Sequence, residues 1–151
     1  MTTAHGRFAS AGAGEWTARA RTGGFAATAG TAYILLAWVL VLCVAYQVFL
    51  AGLAVFDNPL NWGRHVAFVH VFELIPVLML ILAAVARLPK GRWYYMGPVL
   101  LYFLIGLQYA FVALRGTAVA ALHTVNALLI FWGSAALALR ARRLGRLDAE
   151  G

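Results

Sequence analysis

Seven polar side chains interrupt otherwise apolar stretches of this chain: Gln47, His65, His70, Glu73, Gln108, His123 and Asn126. Neutral imidazole is a common ligand for transition metals and haem iron. Amides and carboxyl groups beside it can orient a ligand or carry a proton. His70 and His123 show matched spacing. Each stands 17 residues before an arginine, Arg87 or Arg140, and each is followed three residues later by a polar side chain, Glu73 or Asn126. The segments upstream also match, Tyr46-Gln47-Val48-Phe49-Leu50 beside Leu107-Gln108-Tyr109-Ala110-Phe111. The chain reads as a duplicated helical hairpin with both copies running the same way.

Those residues need helices long enough to hold them at one depth. Four apolar runs supply them, about residues 32–56, 66–86, 93–114 and 117–139, each near or above the ~20 residues that cross ~30 Å of hydrocarbon. Asp57-Asn58-Pro59, Leu88-Pro89-Lys90-Gly91 and Arg115-Gly116 separate them. Connections this short give antiparallel neighbours, so the expected fold is an all-α, integral membrane, up-down-up-down four-helix bundle. Residues 31–140 form that domain, between a disordered tail at 1–30 and a basic tail at 141–151.

Composition agrees. Of 151 residues, 64% are hydrophobic and 11% charged, against roughly 25% charged in a soluble domain. The net charge of +7 is no nucleic-acid signal, because every Lys and Arg lies outside the apolar runs. Ten of them fall on one side: Arg7, Arg19, Arg21, Arg87, Lys90, Arg92, Arg140, Arg142, Arg143 and Arg146. Only Arg64 and Arg115 fall on the other. By the positive-inside rule both termini face the cytoplasm, in the inner membrane. Cys43 is the single cysteine, so an internal disulfide and a CxxCH haem attachment are excluded. Walker, HExxH and nucleophile-elbow motifs are missing as well.

Counted along the helices, Gln47, His70, Gln108 and His123 form one polar layer in the outer part of the membrane. Glu73 and Asn126 lie one turn deeper. Spans two and four are diagonal in such a bundle, roughly 12–14 Å apart when neighbouring axes are ~8–10 Å apart. Two imidazoles and an iron fill about that distance. A haem b between His70 and His123 is expected, with Gln47 and Gln108 at its edge and Arg64 and Arg115 beside its propionates. Two axial nitrogens leave no open position, which favours electron transfer, to or from a quinone or a partner protein.

Other readings stand beside this one. The polar layer could be interhelical hydrogen-bond glue in a non-enzymatic membrane protein, a homo-oligomer or a complex subunit, worth ~0.6–2 kcal/mol per contact. Glu73 is the only acid within a span, and could be a neutral hydrogen-bonded group or the proton site of a small transporter. His65 lies five residues before His70, about 140° around the helix, so the two share no face. An interfacial role, against a propionate or a quinone headgroup, is expected for it. Pro76 is expected to kink the second span.

Tyr46-Gln47-Val48-Phe49-Leu50-Ala51-Gly52-Leu53, the His65 and His70 pair, and the stretch Leu122-His123-Thr124-Val125-Asn126-Ala127-Leu128-Leu129 resemble a bacterial family of small four-span membrane proteins of unknown function. The resemblance covers about residues 32–142 and implies the fold without an activity. The Gln-Val-x-Leu-x-Gly layout followed by His also resembles one four-helix half of haem A synthase. There, histidines on the second and fourth helices of a half ligate haem b, which implies that role for His70 and His123. The chain is half that enzyme's size, and haem A synthesis by this chain alone is not implied.

Overall fold

The apolar runs fold as helices because only a helix, among open-ended elements, satisfies its own backbone groups away from water. The structure is a computed structural model and describes residues 5–88 and 92–150, with side chains described for 24–88 and 93–143. Five α-helices follow one another: α1 (His5–Phe56), α2 (Asn61–Phe72), α3 (Ile75–Val85), α4 (Arg92–Ala113) and α5 (Leu122–Glu150). A 3₁₀ turn, Ala118–Ala121, leads into α5, and the described residues contain no strand. Four stretches are long and apolar enough to cross a membrane: Gly24–Phe56, Asn61–Val85, Trp93–Ala113 and Ala118–Arg143.

Two boundaries move outward from those expected. α1 includes residues 24–30, assigned above to the disordered tail. The hydroxyls of Thr28 and Thr31 there donate to the carbonyls of Gly24 and Ala27, as helical Ser and Thr commonly do. Alanine-rich sequence has high helix propensity, which carries the helix past the apolar run. α5 likewise runs on through Arg140–Arg143 into the basic tail. His5, Trp16, Arg7, Arg19, Arg21, Lys90, Arg92 and Arg146 lie outside the residues with described side chains.

The second span is two helices. Glu73 and Leu74 form a turn between α2 and α3. Pro76 sits in the first turn of α3, where its missing amide is tolerated, and it cannot donate back to the Phe72 carbonyl. The expected kink is therefore a break. Its consequence is visible in the packing: α3 packs against α1 and α4, while α2 packs against α1 alone to any extent. α5 packs against α1 and α4.

Close approaches occur where α4 meets α5. A Cβ on Gly97 would stand 3.1 Å from Leu137 Cδ1, and one on Gly133 would stand 3.1 Å from Leu101 Cδ2. Each helix thus gives a leucine, one turn beyond its glycine, to the notch of the other. This is the small-residue contact that brings membrane helices close. Gly52 and Gly106 have open space instead.

At the end of the molecule holding Tyr33 and Tyr94, Tyr33 is fully buried and donates to the Tyr94 carbonyl at 3.1 Å. That carbonyl would ordinarily accept from the amide four residues on, which is Pro98 and has none. Tyr95 donates to the carbonyls of Ala83 and Leu88 at the end of α3. Arg140 lies 4.4 Å over the Trp93 ring. Outside this core the surface is apolar, with Leu35, Leu42, Phe49, Phe103, Leu128 and Trp132 exposed.

Candidate functional site

At the opposite end, where α2 stands away from α4, the helices line a half-open cavity of about 200 Å³. Its walls are mostly apolar: Val44, Val69, Phe72, Ile105 and Ile130 among others. Polar side chains line it as well, among them Gln47 from α1, His65 from α2, Gln108 from α4 and His123 from α5. These four come one from each span.

The two imidazoles are held in the same manner. His65 Nδ1 is 3.1 Å from the Gln47 carbonyl. His123 Nδ1 is 3.3 Å from the Gln108 carbonyl. A nitrogen bonded to a carbonyl must carry the proton, so both rings have the tautomer in which Nε2 keeps its lone pair. Their ring centroids are 6.2 Å apart, with planes at 51°. Around them, Gln47 Nε2 donates to the His65 carbonyl at 2.8 Å, and Gln47 Oε1 is buried with no partner. Asn126, also buried, donates to the Leu104 carbonyl at 2.7 Å and to Gln108 Oε1 at 2.9 Å.

The expected pairing of His70 with His123 does not occur. His70 is 58% exposed on the outside of α2 and lines no part of the cavity. His65, expected at the interface, takes the inward place. The angular reading was sound, since His65 and His70 do lie on different faces. Depth failed because residue counts back from Arg87 cross the break at Glu73–Leu74, where the helix is not continuous. Gln47, Gln108 and His123 lie at the cavity as expected.

His70 belongs to a second cluster. Its Nδ1 is 3.1 Å from Glu73 Oε1, and Tyr109 donates its hydroxyl to Glu73 Oε2. Tyr109 comes from α4 and also lines the cavity. Glu73 is thus hydrogen-bonded on both oxygens. Periodicity could not have found Tyr109, because its role depends on reaching across to a different span. Arg64 donates to Asn61 Oδ1 at 3.1 Å, and Arg115 lies exposed in the turn before Gly116, whose φ is +93°. Both arginines stand at the cavity's end of the molecule.

A family model described as a family of unknown function, DUF6220, matches residues 47–118. That stretch runs from Gln47 through His65, Glu73 and Gln108, and ends before His123. No curated protein and no solved structure matches the chain, so the likeness to haem A synthase has no support from these comparisons. Among the described residues, no group of three or more His, Cys, Asp or Glu side chains could hold a bare metal ion.

Proposed function

We propose that the chain is a multi-pass membrane protein of the inner membrane, a four-helix bundle with cytoplasmic termini, that binds one haem b through His65 and His123 for electron transfer. The observation that carries this reading is the paired imidazoles. Metal-ligating histidines commonly donate their second ring N–H to a carbonyl or carboxylate, which fixes the tautomer and the ring direction. Both rings have that bond. Two metal–nitrogen bonds of about 2 Å, with half a ring on either side, put imidazole centroids on the order of 6 Å apart. The observed separation is 6.2 Å.

The donor set suits a haem iron. Two neutral nitrogens without a carboxylate or thiolate make a poor site for a bare divalent ion, whereas a porphyrin brings its own four nitrogens. The apolar walls suit a macrocycle, and the unpartnered Gln47 Oε1 offers an acceptor at its edge. A whole haem exceeds this 200 Å³, and ligand pockets commonly run ≈ 300–1,000 Å³, so part of it would lie outside the cavity. A bound haem would supply one-electron chemistry. His65 and His123 would hold it, Gln47 and Gln108 would orient them through their carbonyls, and the apolar walls would exclude water. Arg64 and Arg115 would meet its carboxylates.

Titration of the detergent-purified protein with haemin tests the reading. A saturating 1:1 absorbance change with a six-coordinate low-spin spectrum is expected. Free haemin spectra throughout the titration would exclude it.

A further inference from the structure

The His70–Glu73–Tyr109 cluster has no part in holding a haem, yet it places a carboxyl group, an imidazole and a phenol on an apolar surface. Ionisable groups within a span are costly, and they mark ligand or proton sites more often than chance. The cluster stands where α2 and α4 part. α4 packs on α3 but not extensively on α2. Across that gap the Tyr109 bond to Glu73 is a direct link between the two helices, and Tyr109 faces both the cluster and the cavity.

We infer that this cluster is a lateral binding site for a lipid-soluble hydroquinone. Three features select that chemistry. The site opens on the apolar surface of the spans, so its ligand arrives from the bilayer. Glu73 Oε2 already accepts from the Tyr109 hydroxyl, so it suits another hydroxyl donor. The His70 and Tyr109 rings lie nearly parallel, with planes 25° apart and centroids 6.2 Å apart, and half of each is exposed. An aromatic ring bearing hydroxyl groups meets all three conditions: its hydroxyl replaces that of Tyr109 on Glu73, and its face lies against the two rings. The site stands on residues separate from the imidazole pair. Its service as the redox partner's site rests on the haem reading.

The full-length protein in phosphatidylcholine vesicles is irradiated with an aryl azide carrying a hydroquinone ring, and the labelled peptides are mapped. Labelling is expected on α2 and α4 around residues 66–73 and 105–112. Unlabelled hydroquinone should compete, and its dimethyl ether, which has no hydroxyl to donate, should not. Glu73→Gln should weaken labelling about tenfold, the loss of one charge-assisted hydrogen bond. Equal competition by the dimethyl ether would overturn the inference without recourse to any variant, and so would full labelling in a folded Glu73→Gln protein. The same samples are scanned for a Soret band after haem loading. Labelling in protein that takes up no haem sustains this site and removes the haem reading; a Soret band with no labelling removes this site alone.

Discussion

His65 and His123, from different spans and 58 residues apart in the sequence, stand 6.2 Å ring to ring, each tied through Nδ1 to the carbonyl of a glutamine one helix earlier in the chain. This is an internal two-fold resemblance in geometry, built on His65 where the sequence repeat aligns His70 with His123. Gln47 with His65 and Gln108 with His123 are two copies of one arrangement. The second copy adds Asn126, which holds Gln108 by its side chain, whereas Gln47 holds on to the His65 backbone directly.

Asn126→Leu is expected to destabilise the protein by about 1–3 kcal/mol, because the half-buried Gln108 side chain and the Leu104 carbonyl lose their donor. Gln108→Leu made together with it should cost less than the sum of the two single changes. Unfolding in detergent, followed by far-ultraviolet circular dichroism across a four-member mutant cycle, measures the coupling. Additive effects would contradict the bond.

Tyr33→Phe is expected to cost about 1–3 kcal/mol for a carbonyl left unsatisfied in a buried place. Pro98→Ala restores an amide four residues after Tyr94, so in that background the cost of Tyr33→Phe should shrink to a few tenths of a kcal/mol. The thermal midpoints of the two pairs of proteins give the comparison.

Gly97→Val and Gly133→Val are expected to destabilise the α4–α5 contact by about 1–3 kcal/mol through overpacking against Leu137 and Leu101. Gly52→Ala and Gly106→Ala, whose new methyl groups meet nothing within 4 Å, should be neutral or stabilise by up to about 1 kcal/mol through helix propensity. Loss of stability at Gly106 would place a contact there that the structure does not have.

The division between what sequence could and could not show follows from the range of each signal. Asp57-Asn58-Pro59 and Arg115-Gly116 end helices by local chemistry, and the breaks fall there. The four apolar stretches are likewise local, and they are helices. Gln47, Gln108 and His123 lie at the cavity because uninterrupted helix separates them from the residues used to count their depth. His70 was misplaced because Glu73–Leu74 breaks that count, and Pro76 marked the break without giving its direction. Tyr109 on Glu73 and Tyr33 on Tyr94 are contacts between spans, and no spacing along the chain encodes them.

The proposed bundle also makes a claim about sidedness. Single cysteines at Arg64 or Arg115, in a Cys43→Ser background, should react with an impermeant maleimide added outside intact cells. A cysteine at Arg142 should react only after lysis. The reverse pattern would invert the orientation drawn from the ten basic residues.

The most direct test compares three histidines in one spectrum. The protein is expressed in haem-replete cells, purified in detergent and read oxidised and dithionite-reduced. A reversible Soret and α-band pair is expected in the wild type and in His70→Ala, and its loss is expected in both His65→Ala and His123→Ala. A colourless wild type, or bands that survive His65→Ala and vanish with His70→Ala, would contradict the account.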